Sequence, residues 1–198
     1  MIEIAYMLKR IFDIFVAALL LLLLSPIFLA VMLALKLQGQ TSVFNLSTRV
    51  GRGGKRFRLI RFKTMVDTTA PLPVEERLTK VGRFIRNYSL DDIPNLINIL
   101  RGDLSIIGPR ATEPELVDLS HPEWQQILSI KPGGFSYAIL VLATEFNRSS
   151  PERKRQLELD YVQKQSFWYD LQLMRRVLRE MIASKGNIKT RGKPTVDS

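Results

Sequence analysis

Two adjacent carboxylates, Asp91 and Asp92 in the stretch SLDDIP, are the residues of this sequence best suited to chemistry. They lie in a chain of formal net charge +10, in which bases clearly outnumber acids. Mg²⁺ prefers one or two carboxylates together with waters and phosphate oxygens, and an aspartate can also attack phosphorus as a nucleophile. The pair therefore indicates a divalent ion and a phosphorylated substrate.

A purely structural role for the same stretch is the competing interpretation. Ser89 precedes Asp92 by three residues, which is close to the spacing of a helix capping box. Acids in the first turn of a helix are stabilised by its dipole, by about 0.3–1 kcal/mol each when exposed. Pro94 is tolerated so near a helix start. On the local sequence alone, SLDDIP predicts a helix start capped by Ser89.

Cations near the pair in sequence favour the chemical interpretation, since arginine can bind phosphate through two N–H groups at once. These cations are Arg61, Lys63, Arg83, Arg86, Arg101 and Arg110. Neighbouring residues on a helix point about 100° apart, so the two carboxylates are expected to have different roles. The alternative for Arg61 and Lys63 is a solvated or headgroup-facing strand.

Composition excludes several other chemistries. The chain has 198 residues, enough for one domain with a core and an appendage. It has no cysteine, which excludes disulfides, thiolate metal sites and cysteine nucleophiles. A single histidine, His121, excludes a multi-histidine metal site and argues against a Ser-His-Asp triad. The positive charge predicts an anionic partner, which is nucleic acid, acidic lipid or a phosphorylated substrate.

Residues 14–35, IFVAALLLLLLSPIFLAVMLAL, carry no charge. A straight helix of this length extends about 33 Å, enough for a bilayer core of about 30 Å. Basic residues flank both ends and favour the cytoplasmic side for both. Pro26 breaks or kinks the helix in the middle, and Ser25 can hydrogen-bond to a freed carbonyl. We therefore predict a re-entrant membrane helix over residues 1–37, broken at Ser25 and Pro26.

Two alternatives for this segment stay open. A kinked transmembrane helix is compatible with its length, because proline kinks are tolerated in membranes. A cleaved signal peptide is less compatible, because Asp13 interrupts the basic flank and the apolar run is too long.

The remaining sequence predicts short elements. The glycine-rich Gly51–Lys55 predicts a turn between two strands and lacks the spacing of a phosphate-binding P-loop. Further predictions are a loop over 67–76, a helical turn around Arg83–Asn87, a helix over Asn95–Leu100, a strand over Leu104–Ile107, an apolar run of uncertain type over 131–144, and a long helix from Pro151 to about Ser184. We expect an α/β, mostly helical fold with a small β-hairpin or sheet, a membrane-surface catalytic domain over 38–184, and a polar tail over 185–198.

Several motifs in this order resemble the bacterial sugar transferases, which are monotopic polyprenyl-phosphate phosphoglycosyl transferases. The resemblance covers about residues 8–180. Its motifs are KRIFDI, Ser25-Pro26, RVG, RLIRFKTM and TKVGRFIR followed by SLDDIPNLINILRGDLSIIGPR, and then Lys131-Pro132-Gly133, Asp160-Tyr161 and Ser166–Asp170.

The resemblance implies a reaction and roles for individual residues. In the family a nucleotide-sugar, usually a UDP-sugar, gives its phosphosugar to membrane polyprenyl phosphate with release of UMP, and Mg²⁺ is the usual metal. The first acid of a dyad attacks phosphorus and forms a covalent phosphosugar enzyme. By this resemblance Asp91 is the nucleophile and Asp92 its partner at the metal. The residues that correspond to phosphate-binding bases are Arg61, Lys63, Arg86 and Arg110.

The resemblance also implies a location and partners. The expected location is the cytoplasmic face of the bacterial inner membrane, where such enzymes initiate exopolysaccharide, capsule or lipopolysaccharide assembly. Expected partners are the nucleotide-sugar donor, the polyprenyl phosphate acceptor, membrane lipids and, as a further option, a second copy of the chain. A nucleic-acid binder would explain the charge but not the acidic pair, so we expect no nucleic acid partner.

This sequence departs from the family pattern at four places. Asp92 replaces the usual glutamate, Ser47 stands where glutamine is common, and Ala111 replaces the second proline of Pro-Arg-Pro. The usual KPG-(I/V)-TG turn is KPGGFSY here, followed by an apolar run. These departures leave one alternative function open, a non-catalytic membrane-anchored nucleotide-sugar-binding or scaffold relative.

Overall fold

The computed structural model describes residues 2–68, 73–142 and 145–183, so the predicted tail over 185–198 lies outside the described residues. The helices are α1 (Ile2–Leu23), α2 (Ser25–Leu37), α3 (Val74–Arg77), α4 (Lys80–Asn87), α5 (Asn95–Arg101), α6 (Pro122–Ile127), α7 (Tyr137–Leu142), α8 (Pro151–Lys164) and α9 (Phe167–Ala183). The strands are β1 (Phe44–Val50), β2 (Arg56–Phe62), β3 (Ser105–Gly108) and β4 (Gly133–Ser136). Helices with small sheets agree with the predicted α/β, mostly helical class.

Helices α1 and α2 form a bent pair. The bend of 60° lies between Leu23 and Ser25, with Pro26 in the first turn of α2. Ser25 donates its hydroxyl to the carbonyl oxygen of Leu22 at 2.7 Å, so the side chain satisfies an acceptor next to the break. Within the described residues, no single helix has the length and apolar composition to cross a bilayer, whereas the two helices of this pair meet that criterion together.

Two small sheets follow the bent pair. Strands β1 and β2 form an antiparallel hairpin in which Leu46 pairs with Ile60, and β3 and β4 pair in parallel. The predicted turn in the hairpin is confirmed as a 3₁₀ turn over Arg52–Gly54, in which Gly53 and Gly54 have φ of 66° and 77°. Such positive φ values favour glycine, which explains the residue types at this turn.

Buried polar contacts attach α1 to the rest of the fold. Asp13 accepts hydrogen bonds from the Ser105 hydroxyl at 2.8 Å and from the backbone N–H of Ile106 at 3.2 Å. Lys9 forms a buried ion pair with Asp170 on α9. Around these groups α1 packs on α5, α9 and β3. Lys9 and Asp13, the buried charged residues of α1, therefore both have partners within the protein, as the burial of charge requires.

Two local predictions need correction, and one segment whose type was left open is now defined. The helix predicted from Pro151 to about Ser184 is two helices, because the Ser166 hydroxyl accepts the N–H of Tyr169 at 3.2 Å and begins a new helix. The loop predicted over 67–76 contains the short helix α3. The apolar run after Lys131 is strand β4 followed by helix α7.

Candidate active site

The acidic pair lies in a 3₁₀ turn, Leu90–Asp92, between α4 and α5. Asp91 is half-buried and Asp92 is exposed, so the two carboxylates have different environments. Ser89 does not cap a helix here, which corrects the capping-box interpretation. Its φ of 54° is left-handed, and its hydroxyl makes no capping hydrogen bond. This left-handed residue forms the sharp turn that leads out of α4.

Burial and the charge of Asp92 raise the pKa of Asp91 to about 6. Burial is the larger cause, because it disfavours the charged carboxylate. The guanidinium groups of Arg61 and Arg86 oppose this shift and favour the ionised form. At neutral pH Asp91 is therefore mostly an ionised carboxylate, half-buried and next to two cations. These are the properties that a nucleophile toward phosphorus requires.

Arg86 is held in place by the segment that follows strand β2. Its Nε donates to the Thr64 hydroxyl at 2.9 Å, and Thr64 itself is buried. The helix that carries Arg86 approaches this segment very closely at Gly82, where a Cβ would lie 1.9 Å from the carbonyl oxygen of Thr64. Only glycine permits this approach, so Gly82 sets the position of Arg86. Thr79 caps the same helix by accepting the N–H of Gly82 at 2.8 Å.

Arg61 lies on β2 within electrostatic range of Asp91 and Arg86. Its Nε is buried and has no hydrogen-bond partner among the described residues. A buried guanidinium nitrogen without an acceptor is costly, and a phosphate oxygen of a substrate would satisfy it. The structure thus brings together four of the six predicted catalytic and phosphate-binding residues, namely Asp91, Asp92, Arg61 and Arg86.

Lys63 and Arg110 contact other residues than the acidic pair. Lys63 forms an ion pair with Asp67, which lies four residues along the chain. Arg110 lies over the ring of Phe146, with its guanidinium carbon 5.2 Å from the ring centre. Arg49 lies within electrostatic range of both Arg110 and Arg61.

Arg49 and Glu158 are neighbours of the site that the sequence did not single out. Arg49 is buried and pairs with Glu113 at 2.5 Å, and burial lowers its pKa. Glu158 is 5% exposed and accepts the N–H of Arg110 at 3.1 Å and the Ser136 hydroxyl at 2.7 Å. Burial raises the pKa of Glu158 to about 7. The carboxyl group of Glu158 thereby fixes the backbone at Arg110.

Asn98 is the most informative residue that sequence reasoning missed. It is fully buried on α5, and its amide bonds to the free edge of β2. Its Oδ1 accepts the N–H of Ile60 at 3.0 Å, and its Nδ2 donates to the carbonyl of Arg58 at 2.8 Å. These two bonds clamp the strand that carries Arg61 to the helix that follows Asp91. The only signal in the sequence was an amide in the middle of an apolar helix.

A divalent ion fits this site only with help from a substrate. In the parts of the chain that are described, no group of three or more His, Cys, Asp or Glu side chains is arranged for metal binding. Asp91 and Asp92 supply two carboxylates, and their repulsion contributes to the raised pKa of Asp91. Mg²⁺ is bound in proteins by one or two carboxylates plus waters and substrate phosphates. The acidic pair fits that donor set.

Comparison with known proteins shows the family of this chain. The family model for bacterial sugar transferases matches residues 4–184. The chain is 37% identical over 183 residues to an uncharacterized sugar transferase, EpsL, of Bacillus subtilis (strain 168), with 90% of this chain and 89% of that protein covered. It is 31% identical over 188 residues to a UDP-glucose:undecaprenyl-phosphate glucose-1-phosphate transferase of Caulobacter vibrioides, with 89% of this chain and 70% of that protein covered.

A longer relative gives the same result. The Escherichia coli (strain K12) protein of the same description as the Caulobacter relative is 32% identical over 183 residues, with 85% of this chain and 39% of that protein covered. The family resemblance and the transferase class predicted from the motifs are therefore confirmed. This chain belongs to the bacterial sugar transferase family.

Proposed function

We propose that this protein transfers a phosphosugar from a nucleotide-sugar, most simply a UDP-sugar, to polyprenyl phosphate, with release of UMP. The observation that carries the proposal is the half-buried carboxylate of Asp91 beside Arg61 and Arg86, with a pKa of about 6. The names of the Caulobacter and Escherichia coli relatives support the donor and acceptor classes. The proposed biological role is the first membrane step of exopolysaccharide or related glycan assembly.

The proposed chemistry has two displacements at phosphorus. First, a carboxylate oxygen of Asp91 attacks the phosphorus that bears the sugar, the bond from that phosphorus to the bridging oxygen breaks, and UMP leaves. Second, an oxygen of polyprenyl phosphate attacks the same phosphorus, the bond to Asp91 breaks, and the carboxylate is regenerated. Each step forms one phosphorus–oxygen bond and breaks one, so no oxidant, reductant or additional proton acceptor is needed.

The roles of the neighbouring residues follow from their positions. Arg61 and Arg86 stabilise the ionised form of Asp91 and offer donors to the phosphate oxygens of the substrate. Asp92, exposed and bonded to Asn95 Nδ2 at 3.0 Å, would hold Mg²⁺ together with Asp91. A bound Mg²⁺ ion would neutralise part of the negative charge on the diphosphate, which would favour the departure of UMP. Lys63 and Arg110 are proposed as outer phosphate contacts.

The membrane placement belongs to the same proposal. The bent pair of α1 and α2 is proposed to enter the cytoplasmic leaflet of the bacterial inner membrane and to return to the same side. The 60° bend and the exposed apolar side chains on both helices support this arrangement. It would keep the acidic pair at the surface of the leaflet in which the phosphate of the polyprenyl acceptor lies.

The test is a product assay with purified full-length protein and undecaprenyl phosphate. A UDP-sugar labelled in the sugar should yield labelled lipid and an equal amount of UMP, and a panel of UDP-sugars should identify the donor. Asp91→Asn should abolish both products, because the amide is not a nucleophile of comparable strength. Exposed Asp118→Asn, which lies outside the site, is the matched control and should retain turnover.

Binding of UDP-sugar without UMP release from any donor would favour the non-catalytic alternative. Unchanged turnover in Asp91→Asn would remove that residue as the nucleophile. These two results can be distinguished. Binding without UMP release is measured on the wild-type protein, whereas the Asp91→Asn result can be obtained only if the wild-type protein is active.

A further inference from the structure

Two cations meet at the C-terminal end of α5. Arg10 donates from Nη1 to the carbonyl of Ile99 at 2.6 Å and from Nη2 to that of Leu100 at 3.0 Å. Lys131 Nζ and Arg10 Nη2 both lie within 3.4 Å of the point that a Cβ on Gly102 would occupy. Gly102 also has a φ of 94°, which ends the helix. The glycine therefore leaves open space between two cationic groups.

Tyr6 brings a third cation to the same place. Arg52 donates from Nη1 to the Tyr6 hydroxyl at 2.8 Å, and its guanidinium carbon lies 4.9 Å from the centre of the ring. The Nζ of Lys131 lies 5.9 Å from the centre of the same ring. We call Tyr6, Arg10, Arg52 and Lys131 the basic cluster. It is assembled from α1, the hairpin turn and the segment before β4.

Ion pairs among the described residues do not neutralise the basic cluster. No carboxylate in the described part of the chain forms an ion pair with any of its three cations. The helix-end carbonyls and the aromatic ring provide only partial negative charge. Lys131 Nζ lies near the Tyr6 ring and forms no ion pair within the described residues. Asp13 lines the same cavity as Arg10 and Lys131 but is hydrogen-bonded to Ser105 and Ile106, so the three cations still repel each other and an anion would relieve that repulsion.

An exposed apolar face lies beside the cluster on α1. The helix buries Lys9, Asp13 and Ala17 against the domain. Its exposed large apolar residues are Met7, Leu8, Ile11, Ile14, Phe15, Leu19, Leu22 and Leu23. This face begins in the same turn as Tyr6 and continues to the bend, so it is contiguous with the basic cluster. A large exposed apolar face rimmed by cations is typical of a helix in a membrane interface.

We propose that the basic cluster binds the phosphate of an anionic phospholipid, with the acyl chains along the exposed face of α1. The proposal rests on the membrane placement proposed above, and it concerns a site at the opposite end of α5 from the acidic pair. Charge complementarity selects the anionic headgroup, and the adjoining apolar face selects a lipid over free phosphate. Juxtamembrane cations contribute to such binding at anionic leaflets.

The experiment measures binding of fluorescent phosphatidylglycerol by the purified full chain in zwitterionic detergent micelles, with fluorescent phosphatidylcholine for comparison. Wild type should prefer phosphatidylglycerol. Arg52→Gln with Lys131→Met should weaken phosphatidylglycerol binding about 30-fold, the equivalent of about 1 kcal/mol for each cation. Arg153→Gln with Lys164→Met, two exposed positions on α8, removes the same charge and should change binding less than threefold.

The outcomes are decisive even if the double variant is poorly folded. Arg52→Lys with Lys131→Arg keeps both charges and should retain the preference. Equal binding of the two lipids by wild type would overturn the proposal, as would an equal loss in the α8 control. Displacement of the lipid by millimolar inorganic phosphate would show that the cluster takes free phosphate instead. Asp91→Asn should keep the lipid preference, so failure of the proposed transferase activity would leave this result unaffected.

Discussion

Replacing Asn98 with leucine removes the clamp between α5 and β2 at nearly constant side-chain volume. The substitution leaves the buried N–H of Ile60 and the partly buried carbonyl of Arg58 without partners. An unpartnered buried group costs about 1–3 kcal/mol and a partly buried one costs less, so we expect the free energy of unfolding to fall by roughly 1–5 kcal/mol. Domains of this kind are stable by about 5–15 kcal/mol, so part of the population should stay folded at low temperature.

The same substitution should also change the chemistry of Asp91. Arg61 follows Ile60 on β2, and its charge favours the ionised form of Asp91. When the strand is no longer tied to α5, Arg61 moves away from the carboxylate and the pKa of Asp91 rises above about 6. The acidic limb of the rate of UMP release should therefore move to higher pH in Asn98→Leu.

Three measurements on one preparation test this reasoning. Hydrogen exchange should show loss of protection at the Ile60 amide, denaturant unfolding should give the stability loss, and UMP release should be followed against pH. The control is Leu157→Ala on α8, a buried apolar truncation expected to cost about 2–5 kcal/mol. Its acidic limb should stay near pH 6. Retained protection of the Ile60 amide, or the same limb shift in both variants, would refute the positioning role of Asn98.

Three further predictions follow from the site. In the wild type, UMP release should fall with a slope of one in log rate as pH decreases through about 6, where Asp91 becomes protonated, and a midpoint near 4 would contradict the environment described. The folded-state pKa of Glu158, about 7, is above its ordinary 4.5, so its contribution to stability is complete below 4.5 and is lost as pH rises through 7. The Glu158→Gln variant should not lose this stability, so denaturant unfolding at pH 8 should find the variant more stable than wild type by about 3 kcal/mol. The same dependence of unfolding free energy on pH in both proteins would disprove this prediction. Phe146→Leu removes the aromatic face under Arg110 and should raise the donor KM two- to fivefold with little change in kcat, whereas Phe146→Trp should restore the wild-type KM.

Much of the central fold could be predicted because its boundaries are encoded locally. The turn after β1, the end of α5 and the end of β3 each coincide with glycine, at Gly53, Gly102 and Gly108. The C-terminal region lacked such a signal. Its apolar stripe continues past Ser166 without glycine or proline, and a serine cap inside a helical pattern is easily taken for an exposed helix residue.

The site could be predicted in part, for a related reason. Asp91, Arg61 and Arg86 stood out by residue type, and the fold brings them together. Whether a basic side chain lies beside the two carboxylates depends on tertiary contacts, which cannot be inferred from spacing along the sequence. Lys63 lies only two residues from Arg61 and yet pairs with Asp67. The role of Asn98 was also hidden, because its partners are backbone groups of a strand nearly forty positions earlier.

The central claim is that Asp91 becomes covalently linked to a phosphosugar. It is tested most directly by intact-mass analysis of the purified protein incubated with its UDP-sugar donor and Mg²⁺ in the absence of polyprenyl phosphate. We predict a mass increase equal to one phosphosugar, located at Asp91 by fragmentation, and its disappearance when undecaprenyl phosphate is added. An active protein that releases UMP only when the lipid is present and never carries an adduct, or that carries the adduct on another residue, would contradict the account.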